Sequence, residues 1–300
     1  MFPIQSEFIQ ANGLRFHVNT CGDEASPRLA LCLHGFPELG YSWRDQLPHL
    51  AELGYRVWAP DLRGYGQSDR PSEMSDYALE HLMEDVAQLI DASGAESVLL
   101  IAHDWGAIVA WYFAIREIRP LERLVIMNVP HPAAMQGRGF NFRQLRKSWY
   151  IFFFQIPWLP ELFLGRGRAE AVGNVFSKTA VNRKRFPDEV LDTYRNAASQ
   201  PGALRAMVNY YRALVRGRGA ARQRALGIPI IETPTLMIWG ERDFALGKEL
   251  TYGTEQHVRN FTLRYVPKAS HWVQQDDPET VNAMLEAWIH DESVPEAPSA

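Results

Sequence analysis

The sequence predicts an α/β fold: a mostly parallel sheet with helices on both faces, interrupted by an inserted helical cap. Three observations predict it. Short apolar runs end in turn residues, helix-patterned segments lie between those runs, and a central stretch breaks the alternation. Strands alternating with helices pair in parallel, and parallel strands covered on both faces read as continuous apolar runs.

Taken in order, the candidate strands are Leu29 to Leu33, Arg56 to Ala59, Ser97 to Ala102, Leu124 to Asn128, Thr235 to Trp239 and Leu263 to Val266. Between the second and third, Leu79, Leu82, Met83, Val86, Leu89 and Ile90 follow the three-and-four spacing of an amphipathic helix, which Gly94 closes. After Asp104, the segment Gly106 to Ala114 is apolar on nearly every side and predicts a helix buried within the fold. From about His131 to Ile228, arginines, aromatics and helical patterns replace strands. The chain therefore divides into a first core part (1–130), a helical cap (131–228), a second core part (229–292) and a flexible tail (293–300) that is small, polar and proline-containing. In sheets of this class the functional groups gather at the carboxyl ends of the strands.

Composition excludes several function classes. With 31 Lys and Arg against 35 Asp and Glu, the formal charge is −4, which offers no overall basic field for nucleic acid or anionic lipid. Cys21 and Cys32 are the only cysteines, too few for a disulfide framework or a metal-ligand cluster, and a reduced cytoplasmic setting is expected. The N-terminus shows no basic region followed by an apolar stretch, so no secretory signal is read. The longest apolar stretch, Trp149 to Leu164, is interrupted by Gln155, Pro157, Pro160 and Glu161 and is shorter than the roughly 20 residues of a membrane span. It reads as a buried or interfacial segment.

The chemistry is concentrated at four strand ends. Leu99-Leu100-Ile101-Ala102-His103-Asp104-Trp105-Gly106 is an apolar strand that runs into a small-x-Asp-x-small turn and then a helix. This is the layout of a nucleophile elbow with aspartate in place of serine. The competing reading is that Asp104 merely caps the following helix. Upstream, His34-Gly35-Phe36-Pro37 ends another strand, where the backbone N–H of Phe36 is expected to join that of Trp105 in an oxyanion hole; read alone it is only a turn. Downstream, Gly240-Glu241-Arg242-Asp243 and Ser270-His271-Trp272 follow two more strands. Nucleophile, acid, histidine is the chain order this kind of sheet requires, with Glu241 left as an alternative to Asp243. A carboxylate is ionised near neutral pH and displaces a group from saturated carbon without a base, leaving an ester. His271, oriented by Asp243, then activates water against that ester.

Together, His34-Gly-Phe-Pro-Glu, Gly64-Tyr-Gly-Gln-Ser, His103-Asp-Trp-Gly, Gly240-Glu-Arg-Asp-Phe and Ser270-His-Trp resemble the epoxide hydrolases of the α/β-hydrolase superfamily, from about residue 5 to 290. The resemblance implies two cap tyrosines that protonate the epoxide oxygen. Tyr211, in Asn209-Tyr-Tyr-Arg212, matches one position, with Tyr210 as the alternative. Tyr150 matches the other by its spacing to Gln155 and Pro157. It implies a small apolar epoxide and water as reactants, with no metal or organic cofactor. Oligomeric state is left open, with a homodimer as the candidate assembly. Within the superfamily the competing activity is haloalkane dehalogenation, which shares the Asp-Trp pair but places a second halide donor where Phe36 stands. A non-catalytic hydrolase-like binding protein is the reading from a different class, and nothing in binding alone requires Asp104, Asp243 and His271 together.

Overall fold

An eight-stranded sheet organises the computed structural model, which describes residues 2–134 and 142–298. Its strands are β1 (Gln5–Ala11), β2 (Leu14–Cys21), β3 (Arg28–Leu33), β4 (Arg56–Pro60), β5 (Ser97–His103), β6 (Arg123–Met127), β7 (Thr235–Gly240) and β8 (Phe261–Val266), in the order β1-β2-β4-β3-β5-β6-β7-β8. Neighbours from β4 through β8 run parallel, while β1 and β2 are antiparallel additions at one edge. The six strands expected from the sequence are β3 to β8.

The edge hairpin was outside that expectation, yet it has a local cause. Ala11 pairs with Leu14 across Asn12 and Gly13, whose φ values are 48° and 71°. Two left-handed residues in a two-residue loop match the right-handed twist of the strands, and Asn-Gly is the dipeptide that adopts them most readily.

The helices are α1 (Gln46–Glu52), α2 (Leu79–Ser93), α3 (Asp104–Ile115), α4 (Phe142–Lys147), α5 (Trp149–Phe153), α6 (Leu159–Thr179), α7 (Asp188–Ala198), α8 (Ala203–Val215), α9 (Gly219–Ala225), α10 (Val273–Asp276) and α11 (Pro278–Ile289). Side chains of one strand alternate between faces, so Leu29, Leu31 and Leu33 of β3 join one core, shared with α2 and α3. Ala30 and Cys32 join the other, shared with α1 and α11. Gly94 ends α2 with a left-handed φ of 63°, as expected of a glycine stop. The helix α3 buries ten of its twelve residues, which is why its sequence shows no polar face.

Six helices, α4 to α9, lie between β6 and β7, and the described residues 142–225 contain no strand. The Trp149–Leu164 stretch is only partly buried: Phe154 and Leu164 point inward, whereas Trp149, Phe152, Trp158 and Leu162 are exposed. No described helix is long and apolar enough to cross a membrane. Over its described part, 293–298, the tail has no helix or strand and is mostly exposed, with one anchored residue. Val294 is buried against the second core and its carbonyl accepts a hydrogen bond from Arg264 Nε at 2.9 Å. One apolar side chain with a cleft to fill outweighs the polar composition around it.

Candidate active site

The corner between β5 and α3 turns on Asp104, whose φ of 46° lies in the left-handed region where a branched polar residue is strained. The turn is close against the β3 end. A Cβ on Gly106 would sit 2.4 Å from the Leu33 carbonyl oxygen, and one on Gly35 would sit 2.3 Å from Asp104 Cβ. Glycine at both positions is therefore a steric requirement of the corner. Asp104 does not cap α3: His103 is the residue before the first helical turn, and Asp104 Oδ1 instead accepts the Phe36 backbone N–H at 2.7 Å. Phe36 precedes a cis peptide bond to Pro37. The other expected backbone donor, Trp105, lies in the first turn of α3, where N–H groups have no intrahelical acceptor.

His271 and Asp243 approach from the loops after β8 and β7. Asp243 Oδ2 lies 2.7 Å from His271 Nδ1, and His271 Nε2 lies 3.5 Å from Asp104 Oδ2. The three groups sit in the order carboxylate, imidazole, carboxylate, and all are largely shielded from water. Burial works against the His271 charge, but Asp243 and Asp104 outweigh it and lift its pKa to about 10. For both carboxylates burial favours the neutral acid; the hydrogen bond and charge of His271 overcome this and hold each below its ordinary range. Glu241, the alternative acid, is ion-paired with Lys248 at the surface instead.

Two supporting groups were absent from the sequence reading. Asn128, at the end of β6 with φ 51°, donates from Nδ2 to Asp243 Oδ2 at 2.7 Å, and its Oδ1 accepts the Gly240 N–H at 2.9 Å. With the Ala245 and Leu246 N–H groups on Asp243 Oδ1, the carboxylate is held at both oxygens.

Behind the histidine, Glu38 Oε2 lies 2.6 Å from His103 Nδ1, and His103 Nε2 lies 2.8 Å from the His271 carbonyl oxygen. Both ring nitrogens of His103 therefore face oxygen acceptors. Gln274 and Gln275 donate to the other oxygen of Glu38, tying the β3, β5 and β8 ends together.

A cavity of about 300 Å³ opens over these residues. Asp104, His271, Tyr150 and Tyr211 line it together, with Phe36, Phe153, Phe154 and Phe244 among its apolar walls. Tyr150 comes from α5 and Tyr211 from α8, and their ring centroids are 5.9 Å apart. Burial first, then the Asp104 carboxylate, pushes both phenols well up, which keeps them protonated. Tyr210 points elsewhere: its hydroxyl donates to the Arg63 carbonyl oxygen at 2.8 Å. The Trp105 ring stands edge-on to Tyr211, with centroids 4.9 Å apart. Among the described residues no group of three or more His, Cys, Asp or Glu side chains is disposed to hold a metal ion.

Residues 30–278 match the family model for the alpha/beta hydrolase fold. The chain is 38% identical over 291 residues to "Epoxide hydrolase 2" of Caenorhabditis elegans, an alignment covering 96% of this chain and 80% of that one. It is also 38% identical to the AB hydrolase superfamily protein YfhM of Bacillus subtilis, covering 95% and 98%. Among solved structures it resembles an epoxide hydrolase of Bacillus megaterium in complex with an inhibitor, with a TM-score of 0.84, 28% identity, and coverage of 95% of this chain and 100% of that one. Sheet order, corner and relatives agree: this chain belongs to the α/β-hydrolase family and, within it, to the epoxide hydrolases.

Proposed function

We propose that the protein converts an apolar epoxide to a vicinal diol through an ester on Asp104. The observation that carries this reading is one cavity shared by a carboxylate held ionised and two phenols held protonated. Asp104 Oδ2 attacks one epoxide carbon while Tyr150 and Tyr211 donate hydrogen bonds to the ring oxygen, because an alkoxide leaves poorly without a proton. Phe36 N–H already holds Oδ1, the oxygen that becomes the ester carbonyl. His271, with Asp243 on Nδ1 and Asn128 positioning Asp243, then deprotonates water for attack on the ester carbon, and the backbone donors at Phe36 and Trp105 receive the developing charge.

The division of labour extends to the chain itself. We assign residues 131–228 as a cap that supplies both tyrosines, and residues 1–130 and 229–292 as the core that supplies nucleophile, acid and base; the separate origins of Tyr150 and Asp104 support this. A reduced, cytoplasmic setting is part of the same proposal, supported by Cys21 and Cys32, which are free and buried.

The test sets styrene oxide beside 1-bromobutane. Diol from the first without bromide from the second is expected, since the cavity holds two protonated phenols to assist an epoxide oxygen and Phe36 offers no side-chain donor to a halide. Bromide without diol would overturn the reading. Tyr150→Phe and Tyr211→Phe are each expected to slow ring opening by about 10²–10⁴, the range general-acid catalysis contributes. Tyr210→Phe should leave that step nearly unchanged, because its hydroxyl serves Arg63. Stopped-flow measurement of the alkylation step separates the three variants.

A further inference from the structure

Nearly half of the exposed large apolar side chains among the described residues fall within the single stretch 149–163. They include Trp149, Phe152, Trp158, Leu162 and Phe163, and Trp158 is 84% exposed on a left-handed backbone with φ 59°. A patch of this kind is unusual on a free monomer and marks a surface that meets something apolar. Charge follows a matching pattern. From residue 142 to 170 the sequence has five cations (Arg143, Arg146, Lys147, Arg166 and Arg168) against two acids, although the whole chain is net −4. One of those acids, Glu161, is bound to Arg212. The cations precede and follow the apolar run, and Arg146, Arg166 and Arg168 are exposed.

The same surface borders the cavity. Trp149 and Phe163 line the cavity and are also 59% and 51% exposed, so its mouth opens on the patch, with Arg146 and Lys147 beside it. We propose that this face docks on an anionic lipid surface, with the aromatic side chains entering the headgroup boundary and the exposed Arg146, Arg166 and Arg168 facing the lipid phosphates. The apolar substrate then passes from the lipid into the cavity mouth, a clause that rests on the reading of the cavity as an epoxide site. Tryptophan and phenylalanine flanked by lysine and arginine are the side chains an interfacial surface uses. A second copy fits less well, because a two-fold contact lays the same cations against each other with one acid already committed.

The test is co-sedimentation of the intact protein with vesicles of phosphatidylcholine alone and of equal parts phosphatidylcholine and phosphatidylglycerol, at low and high salt. Binding to the anionic vesicles, weakened by salt, is expected. The triple variant Phe152→Ser/Trp158→Ser/Leu162→Ser, none of whose positions lines the cavity, should bind at least about tenfold more weakly. That variant should turn over dissolved styrene oxide normally and lose rate on a long-chain epoxide embedded in vesicles. Protein that stays in the supernatant with anionic vesicles at low salt overturns the proposal, as does equal binding by the variant. A dimer seen by sedimentation velocity and lost in the variant, without vesicle binding, reassigns the face to a second copy and overturns it too. Vesicle binding without styrene oxide turnover would refute the epoxide reading and leave the docking surface standing, so the two failures are distinguishable.

Discussion

Replacing Asp104 with alanine is expected to lower turnover by roughly five to six orders of magnitude, the scale on which removal of a covalent nucleophile acts. Among the described residues no other carboxylate lines the cavity. Asp243 is committed to His271, Asn128 and two backbone N–H groups, and Glu38 is buried on His103. The variant should still fold, since Asp104 contributes one hydrogen bond to Phe36 and a 3.5 Å approach to His271, and circular dichroism checks this. Intact-mass measurement after rapid quenching should show a substrate adduct on the wild type and none on the variant. Ordinary turnover by Asp104→Ala would sink the covalent mechanism.

In His271→Gln the ester should form and then persist, because only the second step loses its base. Steady-state turnover is expected to fall by about two to four orders of magnitude, the contribution of a positioned general base, while the protein accumulates with one substrate equivalent attached. An unmodified mass during turnover would show that the two steps are wrongly divided.

The pH dependence in the wild type follows from the same charges. With Asp104 ionised, His271 carries its proton until pH approaches about 10, a state that holds the nucleophile as an anion but cannot accept a proton from water. Ester formation removes the Asp104 charge, one of the two that sustain the imidazolium, so the histidine gives up its proton at lower pH once the intermediate exists. Single-turnover measurements should therefore find ester hydrolysis rising with pH through a transition below about 10. Alkylation should be flat through neutral pH and fail only in acid, below the ordinary carboxylate range, as Asp104 protonates.

Much of the site was legible because its parts have local causes. The β5–α3 corner needs small residues on both sides of a strained nucleophile, and this leaves a readable signature at Ala102 to Gly106. Asp243 and His271 follow the ends of apolar strands, so topology alone orders them after Asp104. Asn128 and the Glu38–His103 pair left no such trace. Their partners lie far away in sequence, at Asp243 and at the His271 carbonyl, and a hydrogen bond between distant strand ends imposes no local pattern.

Adjacent residues on a helix show the same boundary more sharply. Tyr210 and Tyr211 are chemically identical and separated by about 100° of helix rotation. Their sequence surroundings do not say which face meets Arg63 and which meets the cavity. The tail divides in the same way, since its composition predicts fraying and only the cleft beside Arg264 gives Val294 a place to bury.

By itself, then, the sequence determined the parallel sheet, the helical interruption, the chain order of nucleophile, acid and histidine, and the net negative charge, since each rests on periodicity, backbone sterics or summed charge. The tertiary structure alone decided which tyrosine hydroxyl enters the cavity, what holds Asp243 and His271 in place, and that the cavity mouth opens on an exposed aromatic face. Those depend on distances between segments remote along the chain, which are set only when both faces of the sheet are covered and the elements lock together.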